Sequence, residues 1–348
     1  MKLLLLLLLT FSLFGQDIRV ASYNVENLFD LKYDGTEYKE YIANTGAKWN
    51  KKTYLAKLRN ISKVISAVNP DIIGLQEIES ENALLDLRAM LKTVRYKQNF
   101  KYYAIALQKK KSSAITTALL SKYPIKYFKE VKVTNHPRNR NILEVGIQIG
   151  DEVLVVFVNH WKSKSGGESK RIRSAKFLME RVSELDKKTP YLFLGDFNSN
   201  YNEYETFLKS KSLNDSDGIT GINHILKTLE ITDWKATQYF KNLFGMKLDT
   251  EFVSKDNLDD EHHYNLWLEL EPENRWSYKH GRKLETLDNI IISQSLVKKL
   301  DKFEVFRGAG TVDKKGKIVR WKRGKNKIHL GIGFSDHLPI YANFKFTK

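Results

Sequence analysis

The strongest constraint on this chain is a repeated one: apolar, strand-like runs that end at a short polar motif. Residues 18–23 end at Asn24-Val25-Glu26, residues 71–75 at Gln76-Glu77, and residues 153–158 at Asn159-His160. Residues 191–194 end at Gly195-Asp196-Phe197-Asn198, Asp288 opens the run 289–292, and Ser335-Asp336-His337 precedes the run 338–344. Such a strand, buried along its length, delivers its polar terminus to one rim of a sheet. Several of them converging make a site. The inventory is carboxylates, amides and two imidazoles without a thiol. That set suits Mg²⁺ or Mn²⁺ and phosphate chemistry rather than zinc or redox work.

Between these runs the periodicity changes. Leu55, Leu58, Ile61, Ile65 and Val68 recur at helical spacing and Pro70 stops them, so the chain opens as strand, helix, strand. Ala83, Leu84, Leu87, Ala89 and Leu91 predict a second helix. Residues 103–107, 114–120, 142–149 and 153–158 are β-branched or aromatic runs, the last two joined by a Gly150-Asp151 turn. Residues 168–185 form a charged amphipathic helix. Helix–strand units in both halves with hairpins between them predict an α/β sandwich of two packed sheets with helices outside. No linker or repeat divides the chain, so residues 17–348 are expected to be one domain. An irregular, acid-rich insertion at about 245–281 is expected to lie over its surface.

The first sixteen residues are expected to be a secretory signal peptide: Lys2, seven leucines from 3 to 9, and a small residue at Gly15. There is no cysteine, which excludes a disulfide framework, and a chain of 348 residues can bury a core large enough without one. Together these predict a bacterial periplasmic or secreted protein with no integral membrane association after cleavage. Lys plus Arg number 58 against 41 Asp plus Glu, a formal charge of +17. That excess favours a polyanionic partner, either nucleic acid or an anionic membrane surface.

The motifs can be read for chemistry one by one. Gly195 lets a strand end turn sharply, so Phe197 can bury while Asp196 and Asn198 face one way and hold a water and a phosphoryl oxygen. In Asp336-His337 the carboxylate can bind a metal while the imidazole faces a phosphate. Glu77 follows so apolar a strand that its charge needs a partner.

Asn24, Glu77, His160, Asp196 with Asn198, Asp288 and Ser335-Asp336-His337, in this order and each at a strand end, resemble the endonuclease/exonuclease/phosphatase superfamily of DNase I-like proteins. The resemblance spans residues 18–344. Asn24 to Phe29 and Asn159 to Ser163 look most like the exported bacterial nucleases of that superfamily. It implies a four-layer α/β sandwich of two mixed sheets and metal-dependent hydrolysis of phosphoesters. Glu77 would be the principal Mg²⁺ ligand, with Asn24, Glu26 and Asp336 around the ion. Asp196 would orient or deprotonate the attacking water, with Asn198 holding it or the phosphate. His337, paired with Asp288, would contact the scissile phosphate, and His160 would stabilise or protonate the leaving oxygen. Residue 26 is Glu where many members carry Asp, a departure that bears on the metal shell.

Charge narrows the substrate. Eight basic residues crowd 314–327 with Trp321 among them, including Lys322, Arg323 and Lys325, and Lys162, Lys164, Lys170, Arg171 and Arg173 follow His160. With Arg138 and Arg140 these suit a strand of phosphates running past the site. The expected activity is a largely sequence-independent endonuclease on DNA or RNA. A sphingomyelinase-like or inositol-phosphate phosphoesterase is the alternative, because one fold hosts many substrates. The oligomeric state is not legible.

Overall fold

Along the first strand of the chain, side-chain parity decides which layer each residue joins. Ile18 and Val20 point into a core shared by two sheets, whereas Ala21, Tyr23 and Val25 point into a second core beneath helices. The computed structural model describes residues 16–106, 114–134, 140–208, 210–230 and 251–346. The expected leader, but for Gln16, lies outside the described residues, and so does Arg138.

The first sheet comprises β1 (Gln16–Leu28), β2 (Ile72–Ile78), β3 (Tyr102–Ile105), β4 (Thr116–Ser121), β13 (Leu300–Val305) and β14 (Ile340–Phe346), ordered β13-β14-β1-β2-β4-β3. The second comprises β5 (Ile125–Val131), β6 (Ile142–Ile149), β7 (Glu152–His160), β8 (Tyr191–Asp196), β9 (Tyr264–Asn265) and β12 (Asp288–Ile292), ordered β5-β6-β7-β8-β12-β9. β10 (Tyr278–His280) and β11 (Lys283–Glu285) form a separate hairpin. The two parallel contacts, β1 with β2 and β7 with β8, are those bridged by helices; the rest are antiparallel.

Helix α1 (Lys51–Val68) starts where the Asn50 side chain accepts from the Lys52 and Thr53 amides while Thr53 Oγ1 accepts from the Asn50 N–H. It ends at Asn69, left-handed at φ 51°, before Pro70. α1 and α2 (Glu81–Lys92) cover the outer face of the first sheet through Leu58, Ile61, Ile65, Leu84 and Leu87. α3 (Glu168–Ser183) covers the second through Ala175 and Leu178. Helices, sheet, sheet, helix: this is the four-layer α/β sandwich.

The two sheets approach closely where Gly74 faces the second sheet. A Cβ there would sit 2.2 Å from Leu194 Cδ1 and 3.1 Å from Val158 Cγ1, so any larger residue would have to displace the Leu194 side chain. The segment expected at 245–281 as a surface insertion partly enters the core instead. Tyr264 and Asn265 pair with Ile292 and Ile291 as an edge strand, and Leu266 and Trp267 are fully buried between the sheets. The reason is that its apolar residues are concentrated at 264–268 while its acids flank them.

Candidate active site

Parity also builds the site. On β7 Leu154, Val156 and Val158 face the inter-sheet core, so His160 continues that row to its rim. On β8 Leu192 and Leu194 lead to Asp196; on β12 Ile290 and Ile292 lead back to Asp288; on β1 Ile18 and Val20 lead on to Asn24. Asp196 and Asp288 are paired residues in the ladder, and so are His160 and Asp196. Four functional side chains therefore converge because they extend the inward-facing rows of four strands.

Glu77 breaks this rule. Ile72, Gly74 and Gln76 face the second sheet, so an unbroken strand would send Glu77 toward α1 and α2. Its φ of 66° and a bulge between Gln76 and Ile78 turn it to the rim. Glu26, Asn27 and Asn198 also have φ between 49° and 63°. Left-handed backbone at non-glycine residues costs on the order of 1 kcal/mol each and persists where the surroundings enforce it. Here four such residues ring one cavity of about 230 Å³, lined also by Arg140, His160, Asp196, Arg323, Asp336 and His337.

Gly195 fixes the ladder under this cavity. It sits at φ 133°, and a Cβ would lie 2.0 Å from the carbonyl oxygen of Asn159 across the parallel pair. Asn159 itself is not a site group. Its side chain donates to Phe157 O and Leu194 O and accepts from Trp161 Nε1, locking the turn after His160.

The polar contacts assign distinct positions to the expected residues. Asn24 Nδ2 donates to Glu77 Oε1 at 3.3 Å and to Asp196 Oδ2 at 3.1 Å, while its Oδ1 accepts from the Glu26 amide. Asn24 thus brackets the two carboxylates. Asp196 Oδ1 accepts from Asn198 N at 2.8 Å, and Asn198 Nδ2 is held by Trp161 O. His337 Nδ1 lies 2.8 Å from Asp288 Oδ2, which also accepts from Ser277 Oγ at 2.6 Å. Its Nε2 then points at the centre, 3.9 Å from Asp196 Oδ2 and 4.0 Å from Asp336 Oδ1. His160 Nε2 is 3.6 Å from Asp196 Oδ2 and 3.9 Å from Glu77 Oε1.

These environments separate the two imidazoles. Burial would lower the pKa of His337, but the charge of Asp288 and its hydrogen bond, then Asp196 and Asp336, carry it well above the usual histidine value. His160 is driven well below that value by burial, with Arg140 and His337 adding to the effect. The two rings are thus pushed in opposite directions, His337 toward the cation and His160 toward the neutral form. Asp196 is raised to about 7, by burial first. That places a buried carboxylate in the range useful for a general base.

The donor chemistry fits a hard divalent cation through Glu77 and Asp336. Burial raises the Glu77 pKa, and the charge of Asp336 raises it further, a repulsion that a shared cation would offset. Glu26 lines the same cavity, but both its oxygens are engaged: Oε2 accepts from Trp321 N at 3.1 Å and Oε1 from Arg323 Nη2 at 3.2 Å. Asp34, Glu37 and Glu79 also bring carboxylate oxygens within 4.8 Å of one another. Two of these acids are occupied by the backbone amides of residues 34–36, and none of the three lines the cavity.

The basic residues divide. Arg140 and Arg323 line the cavity, and Lys322 and Lys325, on either side of Arg323 in the chain, are exposed. Lys164 pairs with Glu203 and Glu285, at 2.9 and 3.3 Å. Lys162 bonds Ser163 and Ser165. Arg171 is fully buried, paired with Glu168 at 2.6 Å and bonded to the carbonyls of Lys162, Ser163 and Gly166, so it braces the loop after His160. Trp321, expected among the phosphate-facing residues, is 1% exposed and bonded to His329 Nδ1 within an aromatic core with Trp49. It packs the loop rather than meeting a base. Ser277 and Lys57 were missed in the sequence. Lys57 had a signal: it lies three residues after Tyr54 and four before Ile61, inside an apolar stripe.

Carboxylates and two imidazoles thus meet in one cavity at the rim of the four-layer sandwich. The sequence matches the model of the Endonuclease/Exonuclease/phosphatase family over residues 19–258, and the chain belongs to that family. Asp288 and Ser335 to His337 lie beyond the matched stretch; the fold brings them to the others.

The fold is similar to that of TDP2 from Caenorhabditis elegans, at 15% identity and TM-score 0.54, covering 96% of this chain and 75% of that one. An endonuclease/exonuclease/phosphatase family protein from Bacteroides thetaiotaomicron is also 15% identical at TM-score 0.54, covering 96% of this chain and 99% of that one. D. rerio TDP2 complexed with single strand DNA product is 12% identical at TM-score 0.53, with coverages of 94% and 98%. No curated protein matches the sequence. Among the described residues no helix is long and apolar enough to cross a membrane.

Proposed function

We propose that the chain is an exported, divalent-cation-dependent phosphodiesterase, most simply a largely sequence-independent endonuclease. The observation that carries the chemistry is the placement of two imidazoles around one aspartate: Nε2 of His337 and of His160 face Asp196 Oδ2 at 3.9 and 3.6 Å. His337, held by Asp288, presents a positive Nε2 to a phosphate oxygen. His160, neutral, presents an N–H to the oxygen that leaves. Asp196, fixed by Asn24 and the Asn198 amide, takes the proton from the attacking water.

Mg²⁺ or Mn²⁺ held by Glu77 and Asp336, with Asn24 bracing them, would supply charge against the non-bridging oxygens. Glu26 lines the same cavity, and reaches the cation only if it exchanges its bonds to Trp321 N and Arg323 Nη2.

A polynucleotide substrate is supported by the net charge, by Arg140 in the cavity and by the exposed Lys322 and Lys325, neighbours in the chain of the cavity-lining Arg323. A relative of the same fold is described with a single-stranded DNA product. The lipid alternative draws on Leu330 and Ile332, each 50% exposed on the same basic loop. Purified mature protein with Mg²⁺ should be assayed on plasmid DNA, RNA, sphingomyelin and inositol phosphates. Nicking of plasmid with no turnover of the last two supports the nuclease reading. Turnover of sphingomyelin alone refutes it.

A further inference from the structure

Behind the acidic side of the cavity, α1 carries a charge that the chemistry above does not use. Lys57 is 0% exposed, between helix, first sheet and the loop that precedes β14. Its Nζ donates to Phe334 O at 2.9 Å and lies 5.0 Å from the centroid of the Trp321 ring. Three residues along the helix, Asn60 Nδ2 donates to Gly333 O at 2.7 Å. These two carbonyls immediately precede Ser335, whose hydroxyl donates to Asn24 O at 2.7 Å and accepts from His337 N at 3.1 Å. The backbone at Gly333 has no slack, since a Cβ there would lie 1.9 Å from Arg320 O. Residues 333–337 are thus pinned by α1 on one side and β1 on the other.

A buried ammonium is costly unless negative charge balances it. The carboxylates that act on Lys57 most strongly are Glu26 and Asp336, both in the cavity lining. We infer that Lys57 is a positioning residue of the active site: it anchors the Phe334 carbonyl and balances the cavity acids, and so sets where Asp336 and His337 stand. It meets neither substrate nor solvent. This role rests on the phosphodiesterase reading, and it explains why a helix facing away from the cavity spends a lysine in its apolar stripe.

The test uses bis(p-nitrophenyl) phosphate at saturating Mg²⁺, well below each variant's thermal midpoint, with His337→Ala measured alongside. Lys57→Met keeps the packing and removes charge and donor. It should lower kcat about tenfold or more with KM within about twofold, because small displacements of reacting groups act on turnover. Lys57→Arg should recover most of that loss. Asn60→Ala should lower kcat severalfold, and the double variant should be no worse than Lys57→Met, since both remove one clamp. A folded Lys57→Met with wild-type kcat, or an Arg variant as poor as Met, overturns the inference. If Lys57→Met does not fold, an unchanged kcat in Asn60→Ala overturns it. No Mg²⁺-dependent turnover of the diester by wild type would sink the phosphodiesterase reading itself, and activity retained by His337→Ala would sink the role given to His337. Activity lost there but kept by Lys57→Met sinks the positioning role alone.

Discussion

His337 Nδ1 and Asp288 Oδ2 lie 2.8 Å apart, joining two residues 49 positions apart in the chain. Asp288 opens β12 of the second sheet, and His337 stands just before β14 of the first. One hydrogen bond therefore ties the start of β12 to the segment that leads into β14. Asp288→Asn should lower kcat about a hundredfold, the scale of a positioned acid–base group, with little change in KM. Steady-state kinetics on a small diester measures both.

The same pair makes a pH prediction. His337 has a folded pKa above its unfolded value, so its contribution to stability is fully present below the unfolded pKa. It is lost as pH rises through the folded pKa. The gap in denaturation midpoint between wild type and Asp288→Asn, measured with a chelator present, should be widest near about pH 6 and narrow in alkaline solution. A gap that widens with pH would contradict the assignment of charge to His337.

Asp196 should act on turnover. Asp196→Ala is expected to reduce kcat by roughly two or more powers of ten with a smaller change in KM. A change confined to KM would remove Asp196 from the role of base.

Gly195→Ala should cost about 2–4 kcal/mol, because both its backbone angle and the Asn159 carbonyl exclude a Cβ. Urea denaturation measures this. A loss under about 0.5 kcal/mol, the usual surface range, would mean the β7–β8 ladder yields there.

Much of this site was legible from strand parity. Asn24, His160, Asp196 and Asp288 each extend an inward-facing apolar row, which period-two counting finds without a structure. Glu77 was found by its place after an apolar strand, but its route to the rim, a left-handed residue at a bulge, has no signature in Gln76-Glu77-Ile78. β5 and β13 escaped because Lys-Tyr-Phe-Lys-Glu and Asp-Lys-Phe-Glu put polar or exposed residues on both parities, as edge strands do. The basic clusters were legible as composition and not as geometry. Nothing in the spacing tells that Arg171 turns inward to Glu168, or that Trp321 packs on Trp49 while Lys322 beside it stays in water.

That distinction sharpens the test of nucleic-acid binding. Lys322 and Lys325 are exposed, whereas Arg323 holds Glu26 and Glu40. Replacing Lys322 and Lys325 by Ala should reduce the slope of log Kobs against log salt on DNA by about two units, one per phosphate contact. Hydrolysis of bis(p-nitrophenyl) phosphate should survive. An unchanged slope would show the two lysines are merely solvated, and a specific loss of binding to anionic vesicles would favour the lipid alternative.

The most direct test of the account is the rate of bis(p-nitrophenyl) phosphate hydrolysis by wild type and Glu77→Gln, each with Mg²⁺ and with EDTA. Wild type should lose at least about a hundredfold in EDTA and recover on adding Mg²⁺, because a bound cation contributes several kcal/mol of charge stabilisation. Glu77→Gln should fold normally and show that loss even with Mg²⁺ present. Near-normal turnover by either protein in EDTA would contradict a cation-dependent phosphodiesterase centred on Glu77.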